Sequence, residues 1–187
     1  EDLLSKGFEI INDAADVPEG SKVIIRAHGV TPEQKDFLPK EGSGFDCTCP
    51  FVEKIHKIVK DKASEGKRII LTGTPGHPEV EGIKGEAPDS VTVISSAAEL
   101  NGLDIDPDNT VLISQTTFSA NTFSEICANI ENKIAKHQIF DTICNTTFSR
   151  QGEAMRISEQ VDAMLIIGSS HSSNTKKLLS LDRKSVV

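Results

Sequence analysis

An α/β fold with parallel sheets covered by helices is the class this sequence predicts, on three observations. Short apolar runs alternate with segments of helical periodicity along the 187 residues, and such alternation gives parallel sheets with helices on their faces. Polar motifs fall directly after the apolar runs, and ligands bind at the carboxyl ends of parallel strands. Hydrophobic residues make up 37% of the chain and charged residues 26%, ordinary values that allow one large or two small α/β domains with real cores.

The elements follow in order. Phe8-Glu-Ile-Ile11 reads as a weak first strand and Lys22-Val-Ile-Ile-Arg26 as a buried one. A helix is expected from Pro32 to Lys40. The stretch from Pro50 to Glu65 carries Val52, Ile55, Ile58 and Val59 at helical spacing. Arg68–Thr72, Val91–Ile94 and Thr110–Ile113 are the next strands. A helix from about Asn121 to Lys136, a short strand Gln138–Phe140, a strand Ala163–Ile167 and a helix beginning near Asn174 complete the pattern. No internal repeat or low-complexity linker interrupts it.

Charge and cysteine content narrow the function. The formal net charge of −8 disfavours nucleic acid and anionic membrane as partners, since both want a basic face. An anionic ligand must then be held by local donors. No run approaches the roughly 20 apolar residues of a membrane span. The first seven residues lack the basic and apolar regions of a signal peptide, so a cytoplasmic location is expected. The four cysteines are Cys47, Cys49, Cys127 and Cys144. Reduced thiols are expected rather than disulfides, and there is no CxxC. A single free cysteine is most often a small buried hydrophobe.

Five polar motifs each follow an apolar run: Ala27-His-Gly-Val30, Gly73-Thr-Pro-Gly-His-Pro-Glu79, Ser114-Gln-Thr-Thr117, Asp141-Thr-Ile-Cys-Asn-Thr-Thr147 and Gly168-Ser-Ser-His-Ser-Ser-Asn-Thr175. Solvated loops explain one or two such coincidences and explain five poorly. Pro50 marks a helix start and puts Cys49 at or beside the N-cap, where the helix dipole and free N–H groups stabilise a thiolate. Cys144 precedes a second helix, capped by Thr146 or Thr147. Gly76-His-Pro-Glu79 sets an imidazole and a carboxylate two residues apart in a turn, the makings of a proton-transfer group beside a donor. The Ser/Asn-rich turn before Lys176 has the hydroxyls, amide and helix N–H groups of an anion site, beyond what an ordinary cap requires.

Taken together, Ala27-His-Gly-Val, Thr48-Cys-Pro, Gly76-His-Pro-Glu-Val, Gln115-Thr-Thr, Asp141-Thr-Ile-Cys with Arg150-Gln151, and Ser172-Ser-Asn resemble the IspH/LytB family of 4-hydroxy-3-methylbut-2-enyl diphosphate reductases. The resemblance runs from the start to about Leu179. It implies a trefoil of small three-layer α/β domains around a central [4Fe–4S] cluster held by three cysteines, two of them matched by Cys49 and Cys144. Cys47 and Cys127 match no ligand position. It makes Glu79 the proton-relay acid and His28, His77, Thr116, Ser172, Ser173 and Asn174 ligands of a small allylic diphosphate; the role of His171 stays open. The implied chemistry is reductive loss of the substrate hydroxyl to give isopentenyl and dimethylallyl diphosphate, fed by a ferredoxin- or flavodoxin-type donor.

By the same resemblance, residues 1–48 finish a first domain, 49–141 form a second and 142–187 begin a third. The family's first cysteine is expected upstream of Glu1 and a later serine motif beyond Val187, so the chain alone is expected to be inactive. Residues 182–187 break the family pattern. They are what GAT CGG AAG AGC GTC GTG encodes, a string resembling a sequencing adapter, and the expectation is that the family-like chain ends near Leu181. The rival class is a non-catalytic zinc- or thiol-binding module drawing on His28, Cys47, Cys49, His77 and Cys144, although their spacing carries no zinc signature.

Overall fold

The structure is a computed structural model that describes residues 2–38, 44–169, 172–180 and 185–186. In chain order the elements are α1 (Asp2–Ser5), β1 (Val23–Ile25), α2 (Pro32–Asp36), β2 (Gly44–Asp46), α3 (Pro50–Ser64), β3 (Arg68–Thr72), α4 (Pro78–Lys84), β4 (Val91–Ile94), β5 (Thr110–Ser114), α5 (Ala120–Ile130), β6 (Ile139–Phe140), α6 (Asn145–Ser158), β7 (Met164–Leu165), α7 (Ser173–Ser180) and β8 (Ser185–Val186). Short 3₁₀ turns lie at Ala14–Asp16, Ala97–Gly102 and Lys136–Gln138.

Every strand pair among the described residues is parallel. A four-stranded sheet in the order β4-β3-β5-β6 forms the centre, with the two-stranded sheets β1-β2 and β7-β8 beside it in sequence. Side chains on a strand alternate between faces. Ile69 and Leu71 of β3 and Val111 and Ile113 of β5 pack against Ile55 and Val59 of α3 and Val80 and Ile83 of α4. Ile70 and Leu112 face the other way, onto Phe118, Phe123, Ile126 and Ile130 around α5. Burial on both faces is why these strands read as continuous apolar runs.

Several expected boundaries move. Phe8–Ile11 is not a strand: it pairs with nothing among the described residues, and Phe8, Ile10 and Ile11 are exposed. An apolar run without a partner edge has no ladder to join. The helix expected to reach Lys40 stops at Asp36, while its start is fixed by a capping box between Thr31 and Gln34; residues 39–43 lie outside the described residues. The short β2, pairing with β1, carries no period that the sequence displayed. The long helix expected to reach Lys136 ends at Ile130, and a turn on the Ile130 carbonyl carries the chain on to Ile134, which is buried in the same core. Gln138 closes a 3₁₀ turn rather than opening β6. The strand expected over Ala163–Ile167 shortens to β7, and Ile167 is 88% exposed.

Leu71 is wholly buried in the central strand. Leu71→Ala is expected to lower the unfolding free energy by about 2–5 kcal/mol, the range for emptying a packed aliphatic site, as measured by urea titration followed by circular dichroism.

Candidate active site

The loops leaving β3 and β5 meet at the carboxyl end of the central sheet. After Thr72 the chain passes Gly73, where an added Cβ would lie 2.6 Å from Val80 Cγ2. Only glycine lets α4 pack this close to its own entry loop. His77 is the N-cap of α4 and Pro78 its first residue, so the segment read as a turn is the start of a helix. His77 Nδ1 accepts the Glu79 backbone N–H at 3.2 Å, which leaves the proton of the neutral ring on Nε2.

Glu79 is only 1% exposed. Oε1 accepts the Thr116 backbone N–H at 2.7 Å and Oε2 accepts the Thr116 hydroxyl at 2.9 Å. Burial pushes the carboxyl above the usual range, and the bonds from Thr116 and the Gln115 side chain pull it part of the way back. The Thr116 carbonyl meanwhile accepts the Cys144 backbone N–H at 2.9 Å. One threonine therefore holds the acid with two groups and a cysteine with a third.

His28 sits in the turn after β1. Its ring meets that of His77 edge to face, with centroids 5.3 Å apart and planes at 80°. Burial is the main reason both imidazoles titrate below the usual histidine value; Arg26 adds to this at His28, and His28 and Arg26 add to it at His77. His28 Nδ1 is buried without a hydrogen-bond partner. An anion that accepted bonds from these rings would relieve both conditions.

Cys49 and Cys144 are the N-caps of α3 and α6, and neither makes a side-chain cap bond. The cap expected at Thr146 or Thr147 is thus the cysteine itself; Thr147 turns inward and is buried. The Cys49 N–H donates to the Ala27 carbonyl at 3.0 Å, next to His28. Both thiols are free and partly exposed. Cys127 packs at the α5 core, where burial, then Asp141 and Glu131, push its thiol up to about 11. Cys47 is exposed at the end of β2, its N–H bonded to the Ile25 carbonyl.

At α7 the hydroxyls divide. Ser172 Oγ accepts the Thr175 N–H at 3.3 Å, as an ordinary cap does. Ser173 Oγ accepts a bond from the Thr117 hydroxyl at 3.2 Å. Asn174 Oδ1 is buried and has no partner. His171 and Ser170 lie outside the described residues. Sequence reasoning placed Gln115 and Gln151 in motifs but gave neither a role. Gln115 is fully buried; its Oε1 accepts the Thr74 N–H at 3.0 Å and its Nε2 donates to Thr117 Oγ1 at 3.1 Å. Gln151 accepts the Ala120 N–H at 3.1 Å and donates to the Phe118 carbonyl at 3.2 Å. An amide two residues after the apolar run Val111–Ile113 was the available signal for Gln115.

The donor set suits a soft metal group in part: two free thiols at helix N-termini, neither sulfur used as a cap. Among the described residues no three His, Cys, Asp or Glu side chains gather to hold a metal ion. The alternative zinc set of His28, Cys47, Cys49, His77 and Cys144 is therefore not assembled.

Parallel α/β layers, cysteine-capped helices and a buried acid at the strand ends define an α/β protein with a thiol-flanked polar site of enzyme type. The chain belongs to the LytB protein family, whose model matches residues 1–187. It is 38% identical over 174 residues to the 4-hydroxy-3-methylbut-2-enyl diphosphate reductase of Campylobacter hominis, covering 92% of this chain and 63% of the relative. It is 38% identical over 186 residues to the enzyme of the same name from a Thermoanaerobacter species, covering 98% and 64%. The solved E-1-hydroxy-2-methyl-but-2-enyl-4-diphosphate reductase of Plasmodium falciparum superposes with a TM-score of 0.83 at 32% identity, over 99% of this chain and 61% of that one. The chain thus spans somewhat less than two thirds of the length of these relatives.

Glu79 gives a pH signature of known sign. Its raised pKa means that the folded state holds the proton more tightly than the unfolded chain, so its contribution to stability is full in acid and is lost as pH rises through the folded pKa. Relative to Glu79→Gln, the wild-type chain is expected to lose urea stability from acid toward neutral pH; parallel stability curves for the two proteins would show that Glu79 does not titrate as placed.

Proposed function

We propose that this chain carries reacting groups of a reductase that removes the hydroxyl of 4-hydroxy-3-methylbut-2-enyl diphosphate, as the names of its relatives indicate. The observation that carries this reading is Thr116, which binds the buried Glu79 by its N–H and hydroxyl and receives the Cys144 N–H on its carbonyl. Acid, hydroxyl and thiol-bearing helix are thereby fixed to one residue.

In this reading Cys49 and Cys144 supply two thiolates to a [4Fe–4S] cluster, and a further thiolate comes from outside the matched positions. When bound, the cluster supplies electrons and a Lewis-acidic iron for the substrate hydroxyl. The overall change takes two electrons and two protons. The allylic C–O bond breaks, one proton leaves in water, and one becomes a C–H bond of isopentenyl or dimethylallyl diphosphate.

The residues of this chain bind, orient and move protons. Glu79, whose burial favours the protonated carboxyl over the carboxylate, touches the Thr116 hydroxyl. That hydroxyl donates to Glu79 as the site stands; by turning to accept from the protonated carboxyl and donate outward, it is the route by which a proton passes toward substrate. His77, with its proton on Nε2, and His28, with an unpartnered Nδ1, are donors for the diphosphate. Ser172, Ser173 and Asn174 add hydroxyl and amide donors at the start of α7. In a chain of net charge −8, these local donors take the place of a basic field. Electrons arrive from a ferredoxin- or flavodoxin-type donor.

The division into units of residues 1–48, 49–141 and 142–187 belongs to the same reading. It is supported by the three parallel sheets, each of which falls within one unit.

Glu79→Gln in the holoenzyme is expected to bind substrate and to turn over about 10²-fold more slowly, the scale of general acid catalysis, in an anaerobic assay with a strong chemical reductant. Near-normal turnover would remove Glu79 from the mechanism. Asn174→Ala is expected to weaken diphosphate binding by roughly 1.5–3 kcal/mol, the worth of a hydrogen bond to a charged group, with unchanged iron content by calorimetry and metal analysis. Cys49→Ser and Cys144→Ser are each expected to lower bound iron and sulfide after anaerobic reconstitution, whereas Cys127→Ser leaves both unaltered. Equal iron in all three variants would dismiss the two proposed ligands.

A further inference from the structure

His56 belongs to none of the groups described so far. It lies on α3, four residues after Val52 and three before Val59, on the buried face of that helix. Its Nδ1 is 2.8 Å from Glu86 Oε1, with both side chains largely buried. The carboxylate accepts, so Nδ1 donates. The opposite nitrogen, Nε2, is buried and has no hydrogen-bond partner.

The surroundings of Nε2 are two glycines. A Cβ added to Gly29 would lie 3.2 Å from His56 Nε2 and 3.3 Å from Thr48 Cγ2. A Cβ added to Gly82 would lie 3.5 Å from His56 Cε1, 3.6 Å from Nε2 and 3.7 Å from the His28 carbonyl oxygen. Gly29 also has φ of +73°, so it serves both the turn and the close approach. The imidazole fills the space that two missing side chains leave open. On one side is the turn that carries His28; on the other is α4, which begins at His77 and Glu79 and ends just before Glu86.

We propose that His56, held by Glu86, is a positioning residue that sets the His28 turn against α4 and so fixes the spacing of the His28–His77 pair. The ring touches three elements at once: α3, which starts at Cys49, the His28–Gly29 turn, and α4. β1 is a short strand with a single partner, β2, so its following turn needs a wedge from elsewhere to hold one distance from α4. A rigid ring pinned at Nδ1 supplies that wedge, and its removal leaves a void which the glycine turn can enter. The consequence for ligand affinity rests on the diphosphate reading above; the brace itself does not.

The test is carried out on the whole chain labelled with ¹³C,¹⁵N-histidine. Wild-type protein is expected to show ring-to-ring nuclear Overhauser signals between His28 and His77. In His56→Ala these signals are expected to vanish, in Glu86→Gln to weaken, and in His56→Asn, whose amide can replace the Nδ1 donor, to return in part. Circular dichroism and urea midpoints separate loss of fold from loss of spacing, and if His56→Ala fails to fold, Glu86→Gln decides. The same proteins are titrated with inorganic pyrophosphate, where His56→Ala is expected to bind roughly tenfold more weakly, as for loss of a residue supporting a ligand-binding side chain. Unchanged ring-to-ring signals in folded variants would overturn the brace, whatever the titration gives. Absence of those signals in the variants, with no pyrophosphate binding by wild type, would uphold the brace and dismiss the diphosphate reading instead.

Discussion

A buried carboxyl with both oxygens claimed by one threonine is the constraint on which the rest of this site depends. Glu79 is out of water, and a carboxylate in that position is costly unless it is hydrogen-bonded. Its two donors come from Thr116, the second residue past the end of β5. The backbone of β5 is locked in turn by its ladder with β3. The loop carrying Thr116 is likewise tied to β3 and its exit loop, the Gln115 N–H to the Thr72 carbonyl and the Thr74 N–H to Gln115 Oε1. Cys144 inherits the same precision, because its N–H is fixed to the Thr116 carbonyl.

The histidine pair follows a different logic. His28 and His77 come from separate elements and meet ring to ring, beside Arg26, with burial disfavouring charge on both. Neutral imidazoles are donors that cost less to desolvate than ammonium or guanidinium groups. A chain of net negative charge can thus offer bonds to an anion without a buried cation whose own charge must be satisfied when the site is empty. Lys177 of α7 is instead laid over the Phe118 ring at 5.0 Å from its centroid, where it serves packing.

Much of this was legible in the sequence, and the exceptions have physical causes. β3 beyond Arg68 and all of β5 are buried, β4 buries Val91 and Ile94, and all three are recovered within a residue, since burial writes itself directly into composition. Cys49 at a helix start was readable from Pro50. Part of the nominated set meets in pairs, His28 with His77 and Thr116 with Glu79 and the Cys144 N–H, because these residues follow strands and parallel strands point their carboxyl ends the same way. β2 was not readable: Gly44-Phe-Asp46 is exposed and takes its strand form from pairing with β1 alone. The role of Gln115 and the place of His56 were not readable for a related reason. Each acts through contacts with residues distant in the chain, Gln115 on the Thr74 N–H and His56 on Glu86. Ser172, read as a ligand, also fills the plain role of a cap.

The two cysteine-started helices differ from their neighbours in one further respect. Thr31 caps α2 and Ser119 caps α5 through side-chain oxygens, whereas the sulfurs of Cys49 and Cys144 leave the first-turn N–H groups of α3 and α6 without that support. A thiol is a weak acceptor, and a missing cap costs about 0.5–2 kcal/mol. Negative charge on the sulfur offsets this through the helix dipole. The consequence is that the first turns of α3 and α6, unlike those of α2 and α5, keep their N–H groups open to an acceptor brought in beside the sulfurs.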